Sequence, residues 1–219
     1  VFFCASDIGW VVGHSYIVYA PLLAGMATIV YEGLPTWPDC GVWWKIVEKY
    51  QVSRMFSAPT AIRVLKKFPT AEIRKHDLSS LEVLYLAGEP LDEPTASWVS
   101  NTLDVPVIDN YWQTETGWAI TGNPVGLGLL PVKYGSSTVP MPGYEIHILD
   151  EGGHEVGAPD TLGAVCLKLP LPPGNLPTLW GNDDRFRQSY LTHFPGYYET
   201  ADAGFIDEDG YLSIMARTD

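Results

Sequence analysis

Basic residues are scarce in this sequence: 13 Lys and Arg stand against 26 Asp and Glu in 219 residues, a formal net charge of -13. That balance argues against a nucleic-acid surface, because phosphate contacts demand clustered Lys and Arg, and no such cluster exists here. A small anionic substrate stays compatible, since a few local donors and a metal overcome a distant acidic field. Cysteine is scarce too. Cys4, Cys40 and Cys166 are odd in number and far apart, which argues against a disulfide framework and for a reducing, cytoplasmic compartment. The histidines (His14, His76, His147, His154, His193) have no spacing that joins them to those cysteines as a zinc site. The chain opens on Val1-Phe2-Phe3 without a basic segment, so no signal peptide is expected. Residues 8–31 form a 24-residue run without charge, long enough to cross a bilayer. The run holds His14, Ser15, Pro21 and three glycines and turns β-branched at residue 27, so a membrane span is not expected.

What is present is an ordinary globular composition, 46% hydrophobic and 18% charged, in a chain long enough for one large domain or two small ones. Apolar runs at 1–4, 27–31, 52–56, 81–86 and 105–109 read as buried strands. Between them lie helical patterns at 15–24, Val42–Tyr50, from Pro59 onward and at 92–102. In Val42–Tyr50 the tryptophans Trp43 and Trp44 read as core packing. Strand and helix alternating with short connections predict an α/β fold with a parallel sheet covered on both faces. Beyond about Gly122 the texture changes: Gly and Pro become dense and helical periodicity disappears. Residues 144–149 and 163–169 read as strands with a turn at 150–153. Asp207-Glu208-Asp209-Gly210 lacks the spaced ligands of a calcium loop and reads as a hairpin turn. Two domains are expected, 1–122 and 123–219.

The chemistry gathers at the end of the 105–109 strand, in Asp109-Asn110-Tyr111-Trp112-Gln113-Thr114-Glu115-Thr116-Gly117. In open α/β sheets ligands bind at the carboxyl ends of strands. Aromatic faces suit a base, a hydroxyl suits a phosphate oxygen, and a carboxylate suits Mg²⁺. The plain alternative is a polar loop closing a strand.

The nine-residue string resembles the Y-x-x-T-E signature of the adenylate-forming (ANL) enzymes, in the W-Q-T-E-T-G version of the short-chain acyl-CoA synthetases. Asp7-Ile8-Gly9-Trp10-Val11-Val12-Gly13-His14-Ser15-Tyr16 and Ala58-Pro59-Thr60-Ala61-Ile62-Arg63 resemble segments of the same family, as does the 135–143 stretch that leads into its small β-barrel. So do Ala87-Gly88-Glu89-Pro90, Tyr198-Glu199-Thr200-Ala201-Asp202 and Ala216-Arg217-Thr218-Asp219, with Ala201 and Ala216 where glycine is usual. The resemblance implies a flavodoxin-like sheet followed by a β-barrel-like subdomain. It implies ATP, a short carboxylate and coenzyme A as substrates, with Mg²⁺, and a carboxylate converted through acyl-AMP to acyl-CoA.

By that resemblance Thr114 and Glu115 are catalytic, with Glu115 holding Mg²⁺. Gly88, Glu89, Pro90, Asp109, Asn110, Tyr111, Trp112, Gln113, Thr114, Asp202 and Arg217 contact ATP or AMP; Tyr111 stacks on adenine and Asp202 holds the ribose. Val11, Val12, Ala87 and Trp112 line the acyl pocket, and Asp219 is the interdomain hinge. Val12 and Ala87 replace the Thr and Val common in acetate-specific relatives. An extra methyl group is worth about 1–3 kcal/mol of discrimination, which favours propionate. The family's phosphate loop would lie before Val1 and its lysine-bearing C-terminal domain after Asp219. The chain is therefore expected to be an internal piece, inactive by itself. Two other readings stand beside this one: a noncatalytic adenine-nucleotide scaffold, and a ligase for an amino or aryl acid.

Overall fold

The computed structural model describes residues 1–218, so the expected hinge at Asp219 lies outside the described residues. The chain divides into two compact units, Val1–Asp109 and a second from Asn110 onward.

The first unit is built on strands β1 (Phe2–Cys4), β2 (Thr28–Ile29), β3 (Arg54–Ser57), β4 (Val83–Ala87) and β5 (Val107–Asn110), the last ending at the unit boundary. Their order is β2-β1-β3-β4-β5, and β1 pairs in parallel with β2 and β3, as β3 does with β4. This is the flavodoxin order, in which the strand order reverses between β1 and β3 and opens a crevice at their carboxyl ends. The sequence predicts a buried strand over 27–31. Only Thr28 and Ile29 are strand, both half-buried, and Val30 is 65% exposed, because β2 is the outer strand with β1 as its one sheet neighbour.

The helix expected at 15–24 starts earlier. It comprises α1 (Val11–Gly13), a π-helical stretch His14–Tyr19 and α2 (Ala20–Leu23). The earlier start depends on Gly13, where a Cβ would lie 2.4 Å from Ile8 Cα and 2.5 Å from the Asp7 carbonyl oxygen. The charge-free 8–31 run is thus divided between helix and strand, and among the described residues no helix is long and apolar enough to cross a membrane. Helix α3 (Val42–Tyr50) buries Val42, Trp43, Trp44 and Val47, with Trp43 edge-on to Phe3. Helix α4 (Pro59–Leu65) begins on Pro59, whose missing N–H costs nothing in the first turn. The polar stretch after it contains the single turn α5 (Ala71–Arg74). Helix α6 (Glu93–Leu103) is capped by Asp92, which accepts a hydrogen bond from the Thr95 amide at 2.9 Å, and ends on Asp104 in the left-handed region.

The second unit is antiparallel. It contains β6 (Thr121–Gly122), β7 (Val139–Pro140), β8 (Ile146–Leu149), β9 (Gly163–Lys168), β10 (Tyr197–Ile206) and β11 (Leu212–Arg217). The last four form a sheet ordered β11-β10-β9-β8, and β6 pairs with β7. Asp207 and Asp209 form the predicted hairpin turn: Asp207 Oδ1 accepts from the amides of Asp209 and Tyr211 at 3.0 and 2.9 Å, while Lys133 Nζ reaches both carboxylates. One element contradicts the expectation of fading helicity, namely α7 (Asp183–Tyr190). None of its residues is fully buried, and Phe186 and Tyr190, four apart, are its half-buried pair; Asn182 caps it, and Asp183 and Asp184 complement its first turn.

Candidate functional site

In the first unit the candidate residues follow the carboxyl ends of strands. Val11 and Val12 are half-buried beyond β1, and Ala87 is buried at the end of β4. Gly88 then turns the chain at φ +96, a conformation that L side chains resist, and a Cβ there would meet no atom within 4 Å. A ligand would therefore meet backbone at this point.

The turn is fixed from behind. Glu89 Oε1 accepts the Thr60 amide at 2.7 Å and Oε2 accepts the Thr60 hydroxyl at 2.7 Å, so the carboxylate sits on the first turn of α4. Arg63 binds the same Oε2 at 3.0 Å, the Pro90 carbonyl at 2.6 Å and Asp92 Oδ2 at 2.9 Å. Burial pushes the Glu89 carboxyl up, but the bonds from Thr60 and the Arg63 charge outweigh it and hold it below the usual range. The Thr95 and Arg63 hydrogen bonds hold Asp92 down at about 2. Of the sequence-predicted nucleotide residues, Glu89 thus has its carboxylate engaged by protein, and Gly88 and Pro90 are exposed on either side of it.

In the second unit Asp202 is the centre. It is 5% exposed on β10, cross-strand from Arg217 on β11. Its Oδ2 accepts the Tyr111 hydroxyl at 2.6 Å and the Gln113 amide at 2.7 Å, while Arg217 Nε stands 3.8 Å from Oδ1. Gln113 also donates to the Thr200 carbonyl at 2.6 Å and accepts the Tyr198 hydroxyl at 3.2 Å. Burial first, and the Asp202 charge second, raise the Tyr111 phenol, which therefore stays a donor. Burial likewise raises Tyr198, aided by the Glu115 carboxylate. The string itself is knotted by Thr116, whose buried hydroxyl accepts the Gln113 backbone N–H at 3.1 Å and lies 3.0 Å from the carbonyl oxygens of Gln113 and Trp118.

The other predicted residues of the string lie as follows. Thr114 is exposed, whereas Trp112 and Glu115 are half-buried. Asn110 sets its Oδ1 where a Cβ on Gly122 would stand, 2.5 Å away, so its amide lies on the backbone of its own unit. Asp109 closes the first unit, half-buried. Glu115 Oε1 accepts the Tyr190 hydroxyl at 3.0 Å, and its carbonyl accepts the Leu176 amide at 2.7 Å. Among the described residues no cluster of three or more His, Cys, Asp or Glu could hold a metal. A lone carboxylate fits Mg²⁺ that arrives on a nucleotide, since that ion keeps waters and phosphate oxygens in most of its positions. Sequence reasoning missed the roles of Arg63, Thr116, Tyr190 and Tyr198. Only the cap and acidic first turn of α7 could have pointed toward Tyr190.

Comparison with known proteins bears on this arrangement. The profile of the AMP-binding enzymes matches residues 1–172. The propionate–CoA ligase of Escherichia coli (strain K12) is 71% identical over 220 residues, covering 100% of this chain and 35% of that protein. The human mitochondrial acyl-CoA synthetase short-chain family member 3 is 46% identical over 226 residues, covering 100% of this chain and 32% of that protein. The chain thus spans about a third of the length of these curated relatives. A crystal structure of the anthranilate CoA ligase AuaEII with anthranoyl-AMP shares the fold, with a TM-score of 0.84 at 23% identity over 99% of this chain and 39% of that one.

Proposed function

The chain belongs to the AMP-binding enzyme family, and from that premise we propose that it is part of an AMP-forming short-chain acyl-CoA synthetase that activates propionate. One observation carries the reading. Tyr111 and Gln113, from the string that resembles the family signature, meet Asp202, from a second motif 91 residues beyond Tyr111, on a single carboxylate oxygen. Two separate resemblances become one constellation.

In this reading the propionate carboxylate attacks the α-phosphate of ATP, pyrophosphate leaves, and the thiol of coenzyme A takes the acyl group from acyl-AMP. Asp202 accepts the ribose hydroxyls while Tyr111 and Gln113 fix its direction. Arg217 contributes charge to ribose or phosphate, and exposed Thr114 donates to a phosphate oxygen. Glu115 would hold Mg²⁺, which neutralises phosphate charge when bound. The Gly88 turn offers its backbone to the adenine edge, with Glu89 and Pro90 as its supports, and Asp109, Asn110 and Tyr111 are assigned to the same nucleotide. Val11, Val12, Ala87 and Trp112 are assigned to the acyl pocket, where Val12 and Ala87 favour the extra methyl group of propionate over acetate. Residues 1–122 and 123–219 are taken as the functional subdomains. Three free cysteines, with burial raising Cys4 and Cys166 to about 12, suit a reducing cytoplasm.

The test is AMP release by the longest natural protein carrying this sequence, given ATP, coenzyme A and acetate, propionate or butyrate. Propionate is expected to give the highest kcat/KM, by a factor of about 10–200 over acetate at most. Residues 1–219 alone are expected to give little turnover. A preference for a long or aromatic acid overturns the pocket assignment, and nucleotide binding without AMP release supports a noncatalytic module instead.

A further inference from the structure

We propose that Tyr190 is the positioning residue for Glu115, holding by its hydroxyl the carboxylate assigned to the Mg²⁺-bearing end of the nucleotide. The inference rests on the reading of Glu115 given above and adds to it a residue from a helix that the sequence pattern concealed.

The geometry constrains Glu115 from two directions. Its backbone carbonyl is pinned by the Leu176 amide at 2.7 Å, and its Oε1 is pinned by the Tyr190 hydroxyl at 3.0 Å. Tyr190 is itself immobilised. Its ring stacks on Tyr198 at 5.2 Å between centroids and 5° between planes. Tyr198 is 1% exposed and is anchored by its own hydroxyl to Gln113 at 3.2 Å.

A carboxylate that accepts one hydrogen bond on one oxygen has its plane set and its second oxygen aimed. Such outer partners of metal-binding carboxylates typically change metal affinity by about 10–100-fold when removed. Packing alone does not require the hydroxyl, because a phenylalanine would fill the same stack on Tyr198. The O–H adds only the bond to Glu115, and Tyr190→Phe isolates it.

The experiment uses the longest natural protein carrying this sequence. ATP binding is titrated by calorimetry with and without Mg²⁺, in the absence of carboxylate and coenzyme A, for the parent, Tyr190→Phe and Glu115→Gln. Tyr190→Phe is expected to lower the Mg²⁺-dependent gain in ATP affinity about 10-fold, with metal-free ATP affinity and thermal midpoint unchanged. An unchanged Mg²⁺ dependence overturns the proposal, as does an equal loss with and without Mg²⁺, which marks a structural role. If Glu115→Gln keeps the parent's Mg²⁺ dependence, the assignment of Glu115 falls and this proposal with it. If Glu115→Gln abolishes that dependence and Tyr190→Phe leaves it intact, only the role of Tyr190 falls.

Discussion

The two units solve the problem of a stable interior in opposite ways. The first has a large apolar cluster that runs from Phe3 through Trp43, Trp44, Met55, Ile62, Leu84 and Leu86 to Val107, with Phe2, Cys4, Ile17, Phe56, Val83 and Ile108 also buried. The second has small separate clusters, centred on Tyr198, Val165 and Cys166. Its buried polar residues include Thr116, Thr121, Asn123, Ser136, Ser137, Thr200 and Asp202, whereas the buried polar residues of the first are Ser57 and Thr95 among the described residues. Apolar packing tolerates small errors, because each contact is weak and undirected. A buried polar network does not, since every donor left without an acceptor costs its full desolvation. The carboxylates differ in setting: partly exposed Glu89 accepts the Thr60 amide and hydroxyl and the Arg63 guanidinium, while buried Asp202 takes two neutral donors on Oδ2 and has the Arg217 guanidinium 3.8 Å from Oδ1.

Three substitutions test that contrast. Trp44→Ala, at a side chain only 1% exposed, should cost about 3–5 kcal/mol, read by urea unfolding and by amide exchange within the first unit. Gln113→Ala removes the partner of the Tyr198 hydroxyl, the Thr200 carbonyl and one Asp202 bond, and should cost about 1–3 kcal/mol while weakening ATP binding. A loss from Gln113→Ala as large as that from Trp44→Ala would show that the polar network holds the second unit as strongly as packing holds the first. Asp92→Asn should have the smallest effect, under about 1 kcal/mol, because Arg63 and Asp92 are both partly exposed. Its pH dependence gives the sign. Asp92 is held at about 2, against about 3.9 for a free aspartate, so its ionised contribution is complete above pH ~4 and disappears as pH falls through about 2. Protection of the Thr95 amide should therefore differ between parent and Asp92→Asn at neutral pH and converge near pH 2.

The same contrast explains what the sequence made legible. Val42–Tyr50 and the strand ending at Ala87 were readable because apolar spacing reports burial directly. Residues 27–31 read as a buried strand for the same reason, yet an outer position leaves hydrophobic residues half-covered, and only topology reveals that position. Asp183–Tyr190 was invisible because Phe186 and Tyr190 are the two half-buried residues of an otherwise exposed helix, too short a pair to read as a stripe. The site followed this pattern. Asp202 and Tyr111 were legible through resemblance, whereas the Tyr190–Glu115 bond joins residues 75 apart and has no local signature. Arg63 lies in a legible string, but its role depends on where β4 ends.

Ala201 stands where the resembling sequences carry glycine, and its backbone lies at φ +56, beside a register shift in the β9–β10 ladder. An L residue enters that region at about 1–2 kcal/mol. The twist is kept wound by its neighbours: the Thr200 hydroxyl, 2.7 Å from the Val165 carbonyl, accepts the Asp202 amide at 3.1 Å, and the Thr218 amide closes on the Ala201 carbonyl at 2.9 Å. Asp202 is consequently aimed by a coiled spring of main chain, and its direction is tensioned where a glycine would leave it slack.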